Sequence, residues 1–410
     1  MQYHYHTFSS GLRLVFKQVK NPVAHIGITV NTGSRHEPEN LQGICHLIEH
    51  LIFKGTATRN NFRILSRLED VGADLNAFTT KEDTTVYVSI SKTYLTRAVE
   101  LLSDIMFNSV FPEEEIAKEK SVVLDEINSY KDNPAEWIHD EFEDTVFAGH
   151  PLGRNILGTR KSLKSIKRND LLAFYKSAYR ADNMVVSVVA QAGFDHIIKL
   201  IGTYFDHTHS SGPEDLILPS FSYVPFNRSI KYSKHISHAL IGNIGYSSNQ
   251  PERFALALLN NFLGGPAMNA RLNILLREQM GIAYNIESSY SAFSDTGLFS
   301  IYYGTDNENL QIALDIILKE LAGCRTQKWS AIKLARVKRQ AAGQQIIALQ
   351  NSQNEMLAMA RSMTLYGKVD SYKELIEKIE NVSAAEILET ANKVFEPSQL
   401  SYLFFTDREK

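Results

Sequence analysis

Gly43-Ile44-Cys45-His46-Leu47-Ile48-Glu49-His50-Leu51-Ile52-Phe53-Lys54-Gly55 is apolar or small on every side except at His46, Glu49, His50 and Lys54. That is the pattern of a helix sunk in a core rather than lying on one, with Gly55 expected to end it. At about 100° per residue, His46 and His50 lie about 40° apart around the axis and Glu49 falls on the same side. All three can face one point. Two imidazoles and a carboxylate buried without partners would cost on the order of several kcal/mol, so something must satisfy them. The candidates are a divalent metal, or hydrogen bonds from two core histidines to backbone or to Glu49.

The metal reading is the chemically specific one. His-x-x-Glu-His is the inverzincin signature, which sets two zinc ligands one helical turn apart and a glutamate where it can take a proton from metal-bound water. Cys45 beside His46 points off that face and reads as a small core residue. A third ligand has to come from elsewhere.

The rest of the composition narrows the function classes. The chain has 410 residues, 44% hydrophobic and 22% charged, with a formal net charge of -3. It can therefore bury more than one sizeable core. No block of like charges reads as a nucleic-acid or membrane tail, so neither partner is expected. The two cysteines, Cys45 and Cys324, are too few for a disulfide framework and fit a reducing compartment. With no signal-like N-terminus and no apolar run of about 18 residues, a cytoplasmic location is expected.

Periodicity gives the element order. Residues 3–18 read as a hairpin turning at Ser9-Ser10-Gly11, with His4 and His6 on one exposed strand face, and 23–32 reads as a further strand. After the opening helix come a helix at 63–71, a strand region at 74–90 rich in Thr, Val and Tyr, and helices at 94–108 and 112–131. Helices are expected between 140 and 180, an apolar closing strand at 183–191 and a helix at 195–205. The second half repeats this order: a strand at 237–246, helices at 252–263 and 270–280, strand regions at 284–293 and 297–303, helices at 307–323 and 329–348, and a final strand at 399–405. Order rather than identity marks an internal duplication. The expected fold is α+β: two similar α/β-sandwich domains, each a mostly antiparallel sheet packed against helices. Residues 1–209 form the N-terminal domain, 210–226 a polar, proline-punctuated linker and 227–410 the C-terminal domain. Where the first half has His46 to His50, the second has Leu259-Asn260-Asn261-Phe262, so one metal site per chain is expected.

The helix at 112–131 is where a third ligand can come from. Pro112 suits its first position, and Glu113, Glu114 and Glu115 suit the dipole of its first turn without any chemistry. Glu119 and Glu126, seven apart, project from one stripe about 10 Å apart along the axis. Val122, Val123, Leu124 and Ile127 around Glu126 suggest burial there, and a buried carboxylate asks for a partner. Spacing alone leaves open which of the two glutamates touches the metal.

With these residues the chain resembles the pitrilysin or insulinase-type zinc peptidases, in the short form similar to the processing peptidase beta subunit. In that family the third ligand follows the histidine helix at a long spacing, with another glutamate seven residues before it. Here Glu126 lies 76 positions after His50 and Glu119 seven before Glu126. The resemblance implies that His46, His50 and Glu126 hold one Zn²⁺ per chain. Glu49 is then the general base, and Glu119 orients water or a ligand from outside the coordination sphere. Leu75-Asn76-Ala77-Phe78-Thr79 looks like the family's cleft-lining strand, with Asn76, Ala77 and Phe78 at the substrate backbone. Arg277-Glu278-x-x-Gly281-Ile282-Ala283-Tyr284 looks like its Arg and Tyr pair, Arg277 and Tyr284, which bind the substrate carbonyl. The loop at 263–272 departs from the commoner Ser-Ser-Arg-Leu form.

Implied function is a zinc metalloendopeptidase hydrolysing peptides or unfolded polypeptides in an enclosed chamber. Short family members imply two chains closing around that chamber, here a homodimer in which Arg277 and Tyr284 act in trans. The rival implied by the family is a non-catalytic assembly or core subunit. A metal-dependent amidohydrolase acting on small amides is a third reading and expects a shallow pocket instead of a strand-lined cleft.

Overall fold

The computed structural model describes residues 2–205, 220–232 and 235–407, so residues 210–219 of the expected linker lie outside the described part. The strands are β1 (His4–Thr7), β2 (Arg13–Gln18), β3 (Val23–Val30), β4 (Asp74–Thr79), β5 (Thr84–Ser91), β6 (Met184–Ala190), β7 (Asn227–Lys231), β8 (Ile236–Gly245), β9 (Ala283–Ala292), β10 (Gly297–Asp306) and β11 (Ser401–Thr406). They form a six-stranded sheet ordered β1-β2-β6-β3-β5-β4 and a five-stranded sheet ordered β7-β11-β8-β10-β9.

Without β1, the two sheets have one topology. In each, the first strand pairs parallel with the last, and every other neighbouring pair is antiparallel. The expected duplication of mostly antiparallel α/β layers is present, with β4 and β9 at equivalent sheet edges. The strand region at 74–90 resolves into β4 and β5, paired from Asp74↔Ser89 to Thr79↔Thr84.

Two compact units follow this duplication without following the linear halves. The first comprises Met1–Asn128, His150–Pro219 and Ile347–Ser371; the second comprises Ser129–Gly149, Ser220–Ile346 and Tyr372–Lys410. The division expected at 1–209 and 227–410 therefore differs in two segments, each carrying one helix.

The sheets explain why. In the first unit, Leu14, Phe16, Val186 and Val188 point to the main core, while Val15, Val185 and Val189 point to the opposite face. A strand buried on both faces needs cover on both. Met356, Met359 and Met363 of helix Ser352–Tyr366 supply it. Gly27 of β3 lets this helix close in, since a Cβ there would lie 2.6 Å from the Met356 sulfur. A buried pair, Lys17 Nζ to Glu355 Oε1 at 2.5 Å, fixes its register. In the second unit, helix Pro134–Val146 takes the same part, packing Trp137 against Phe405 with ring centroids 4.7 Å apart and the rings tilted by 54°. Sequence periodicity gave no elements between 349 and 398, where helices Ser352–Tyr366, Tyr372–Asn381 and Ala384–Val394 lie.

Helices α1 (Ile44–Leu51), α2 (Asn61–Glu69), α3 (Leu95–Phe107) and α4 (Glu113–Asp132) belong to the face of the first sheet that carries the candidate site. Helix α1 is shorter than the 43–55 stretch: the chain turns after Leu51, and Gly55 bridges to Asn60. Its residues Ile44, Leu47, Ile48 and Leu51 are fully buried, as the all-round apolar pattern requires.

Candidate metal centre

Helix α1 presents His46 and His50 one turn apart, with ring centroids 4.6 Å from each other. Helix α4 brings Glu126 to them, its Oε2 lying 3.9 Å from Nε2 of His46 and 3.9 Å from Nε2 of His50. One ligand atom from each residue lies within 4.8 Å of the others, the one such His, Cys, Asp or Glu group among the described residues. The Glu126 side chain is 39% exposed, more than the apolar run around it suggested. Its Oε2 atom is nonetheless buried and has no hydrogen-bond partner among the described residues.

That orphaned oxygen decides the fit. An unpaired buried carboxylate oxygen facing two imidazole nitrogens is costly unless a cation sits between them. Two nitrogens and one oxygen are the donor set of catalytic zinc sites that keep a fourth position open. The residues present fit zinc.

Glu119 holds the outer side of His50, its Oε2 being 3.0 Å from Nδ1. Its Oε1 pairs with Lys54 Nζ at 2.7 Å. Burial raises this carboxyl, but the hydrogen bonds from Lys54 and His50 outweigh it and hold Glu119 below its ordinary range. It is therefore an acceptor only, so Nδ1 of His50 donates to it and Nε2 is the ring nitrogen that faces the site. Burial, helped by His50, pushes His46 down to about 4, which leaves that ring neutral and able to ligate at physiological pH.

Glu49 lies on the same helix, and its Oε2 accepts a hydrogen bond from Thr79 Oγ1 at 2.5 Å. Burial pushes its carboxyl above the ordinary value, partly offset by Thr79 and His50, with Glu126 adding to the rise. A raised carboxyl suits proton transfer near neutrality. Asn76, Ala77 and Phe78 are on β4, the last strand of its sheet, opposite Tyr87, Val86 and Thr85. The Asn76 amide donates to Asp74 Oδ1 at 2.7 Å, and Phe78 packs edge-on to Tyr87.

Arg277 and Tyr284 belong to the second unit. Arg277 lies in a π-helical turn, Asn273–Gln279, where a plain helix over 270–280 was expected. It lines a cavity of about 360 Å³ beside Gly264, Gly265, Asn285 and Glu287. Tyr284 is 60% exposed at the start of β9, and its hydroxyl donates to Asp306 Oδ1 at 3.0 Å. The residues that periodicity missed are Thr79 and Lys54. Thr79 shares a face of β4 with Ala77, a usable signal. Lys54 follows His50 by one helical turn, another usable signal.

A histidine pair and a carboxylate on a duplicated α/β scaffold, with an acid on the same helix, define a zinc-protease-like chain. A family model described as insulinase (peptidase family M16) matches residues 13–160, and one described as the peptidase M16 inactive domain matches 165–341. The chain belongs to peptidase family M16, the insulinase family, in its short form. A Bacillus subtilis protein described as an uncharacterized zinc protease is 32% identical over 394 residues, 95% of each chain. One from Rickettsia felis with the same description is 32% identical over 370 residues, covering 90% of this chain and 89% of that one. A protease from Helicobacter pylori has the same fold, with a TM-score of 0.91 at 20% identity over 98% of this chain and 99% of its own. A Pseudomonas fluorescens structure described as a peptidase M16 inactive domain also superposes at 0.91, with 19% identity over 100% of this chain and 98% of its own.

Proposed function

We propose that this chain is a zinc metalloendopeptidase that cleaves peptides or unfolded polypeptides in an enclosed chamber. The observation that carries the reading is Oε2 of Glu126, buried and unpaired, 3.9 Å from two histidine Nε2 atoms. When bound there, zinc supplies a Lewis acid that acidifies water and polarises a carbonyl. His46, His50 and Glu126 would hold it, and Glu119 fixes the His50 tautomer.

Glu49 then takes the proton of the attacking water and passes it to the leaving amine. Thr79 holds its carboxylate in one orientation for both transfers. The free edge of β4 at Asn76 to Phe78 pairs with an extended substrate through backbone hydrogen bonds, which tolerates many sequences. Arg277 and Tyr284 donate to the substrate carbonyl and stabilise its developing charge. In this reading they do so from the second chain of a homodimer, supported by the presence of both residue sets on one chain of the short form. No helix among the described residues is long and apolar enough to cross a membrane. The buried, unpaired cysteines Cys45 and Cys324 support a reducing, cytoplasmic setting.

Mass spectrometry of products from a mixed peptide library tests the activity, with zinc-free protein and Glu49→Gln as controls. Cleavage by the zinc-loaded wild type alone supports the reading. Zinc-loaded wild type that cleaves nothing in the library overturns it in favour of a non-catalytic assembly subunit. For the trans arrangement, Glu49→Gln and Arg277→Ala chains are mixed and exchanged. Recovered activity supports contribution from the partner, and none overturns it.

A further inference from the structure

The helix carrying both histidines begins without a cap of its own. Its N-cap residue, Gly43, sits at φ +88° and has no side chain to offer the first turn. A Cβ there would lie 2.6 Å from the Leu157 carbonyl oxygen, so the serine, threonine, aspartate or asparagine that usually caps a helix does not fit. Yet the first-turn amides open into a buried region and need acceptors.

Glu37 supplies them from outside the helix. Its Oε2 accepts from the Gly43 N–H at 2.7 Å and its Oε1 from the Cys45 N–H at 2.9 Å. The residue is 4% exposed. Its own carbonyl is held in turn by the Arg154 guanidinium at 2.8 Å. Burial pushes its carboxyl up to about 8, against the pull of the Cys45 and Gly43 amides, the Cys45 thiol and Arg154.

The two histidines differ in how they are held. His50 has its ring fixed by Glu119, whereas Nδ1 of His46 is buried with no hydrogen-bond partner among the described residues. Nothing polar on the ring aims His46, so its Nε2 goes where the backbone of the first turn puts it. His46 is the third residue of α1, immediately after the capped Cys45. We infer that Glu37 is a positioning residue for the metal site, doing for His46 through the backbone what Glu119 does for His50 through the ring. This rests on the zinc-peptidase reading.

Zinc affinity, measured by competition with a chromophoric chelator, tests it without reference to activity. Glu37→Gln keeps one acceptor oxygen and replaces the other with a donor. Glu37→Asp keeps both oxygens one methylene short. Either is expected to weaken zinc binding about 10- to 100-fold, the range found for partners outside the coordination sphere. Ile48→Val is the control, trimming the same helix in the core without touching its cap, with an expected change of less than about twofold. In zinc-free protein, amide exchange at 43–46 is expected to speed up in the Glu37 variants while β3 and β6 stay protected. Unchanged zinc affinity in both Glu37 variants overturns the inference, as does an equal loss in Ile48→Val. Fast exchange of the Gly43 and Cys45 amides in wild type also overturns it, even if neither Glu37 variant folds. Wild type that binds no zinc overturns the peptidase reading itself and the positioning role with it.

Discussion

Nδ1 of His50 donates to Oε2 of Glu119 across 3.0 Å, and the other oxygen of that carboxylate is bound by Lys54 at 2.7 Å. The glutamate seven residues before Glu126 thus fixes which nitrogen of His50 is turned toward the Glu126 oxygen. Its value to the site is that of a lock on tautomer and ring orientation.

Glu119→Ala leaves that nitrogen without its acceptor and Lys54 without its partner. Zinc affinity is expected to fall about 10- to 100-fold, read by competition with a chromophoric chelator. Lys54→Met should cost less, because the His50 hydrogen bond survives. Equal losses in the two variants would mean that Glu119 acts through charge alone.

Glu49→Gln separates proton transfer from binding. Since the Glu126 oxygen and the two histidine nitrogens are untouched, zinc content should stay at the wild-type level. Turnover of a quenched peptide should fall at least about 10²-fold, the lower range for loss of a general base.

Thr79→Val removes the hydroxyl that donates to Glu49 Oε2. A donated hydrogen bond favours the charged carboxylate, so its loss raises the pKa further. The acidic limb of the kcat/KM profile should therefore move to higher pH in Thr79→Val. A limb unmoved or shifted downward would show that Thr79 does not tune this group.

In metal-free protein, burial holds His46 down to about 4, below its ordinary 6.5. Between those values the unfolded chain binds a proton that the folded chain refuses, so stability is expected to fall as pH drops from 6.5 toward 4. The slope contributed is at most about 1.4 kcal/mol per pH unit. Denaturant unfolding of zinc-free wild type and His46→Gln across this window checks it: the variant should lose part of the slope.

The buried Lys17 and Glu355 pair ties helix Ser352–Tyr366 to β2. Lys17→Met or Glu355→Leu alone leaves an uncompensated polar group in the interior and should destabilise by about 3–5 kcal/mol, seen as a lowered urea midpoint. Lys17→Met with Glu355→Leu should lie much closer to wild type. A strictly additive double variant would mean the two residues do not act as a pair.

Much of this was legible in the residues. The apolar surround of His46, Glu49 and His50 marked a sunken helix, and the seven-residue spacing put Glu119 and Glu126 on one stripe, because helical period alone fixes which side chains share a face. Alternation and turn residues placed the strands, and element order exposed the duplication before any register was known. Spacing left the roles of the two glutamates open. The structure sets them apart: Glu126 Oε2 faces both Nε2 atoms, while Glu119 meets Nδ1. Only the tertiary structure could assign Ser129–Gly149 and Ile347–Ser371 to their units, because a strand such as Met184–Ala190 announces that it is buried on both faces but not which helix covers them. The same holds at the start of α1. Gly43 announces a helix that cannot cap itself, but Glu37 as the cap depends on where a loop returns in space, and periodicity carries no record of that.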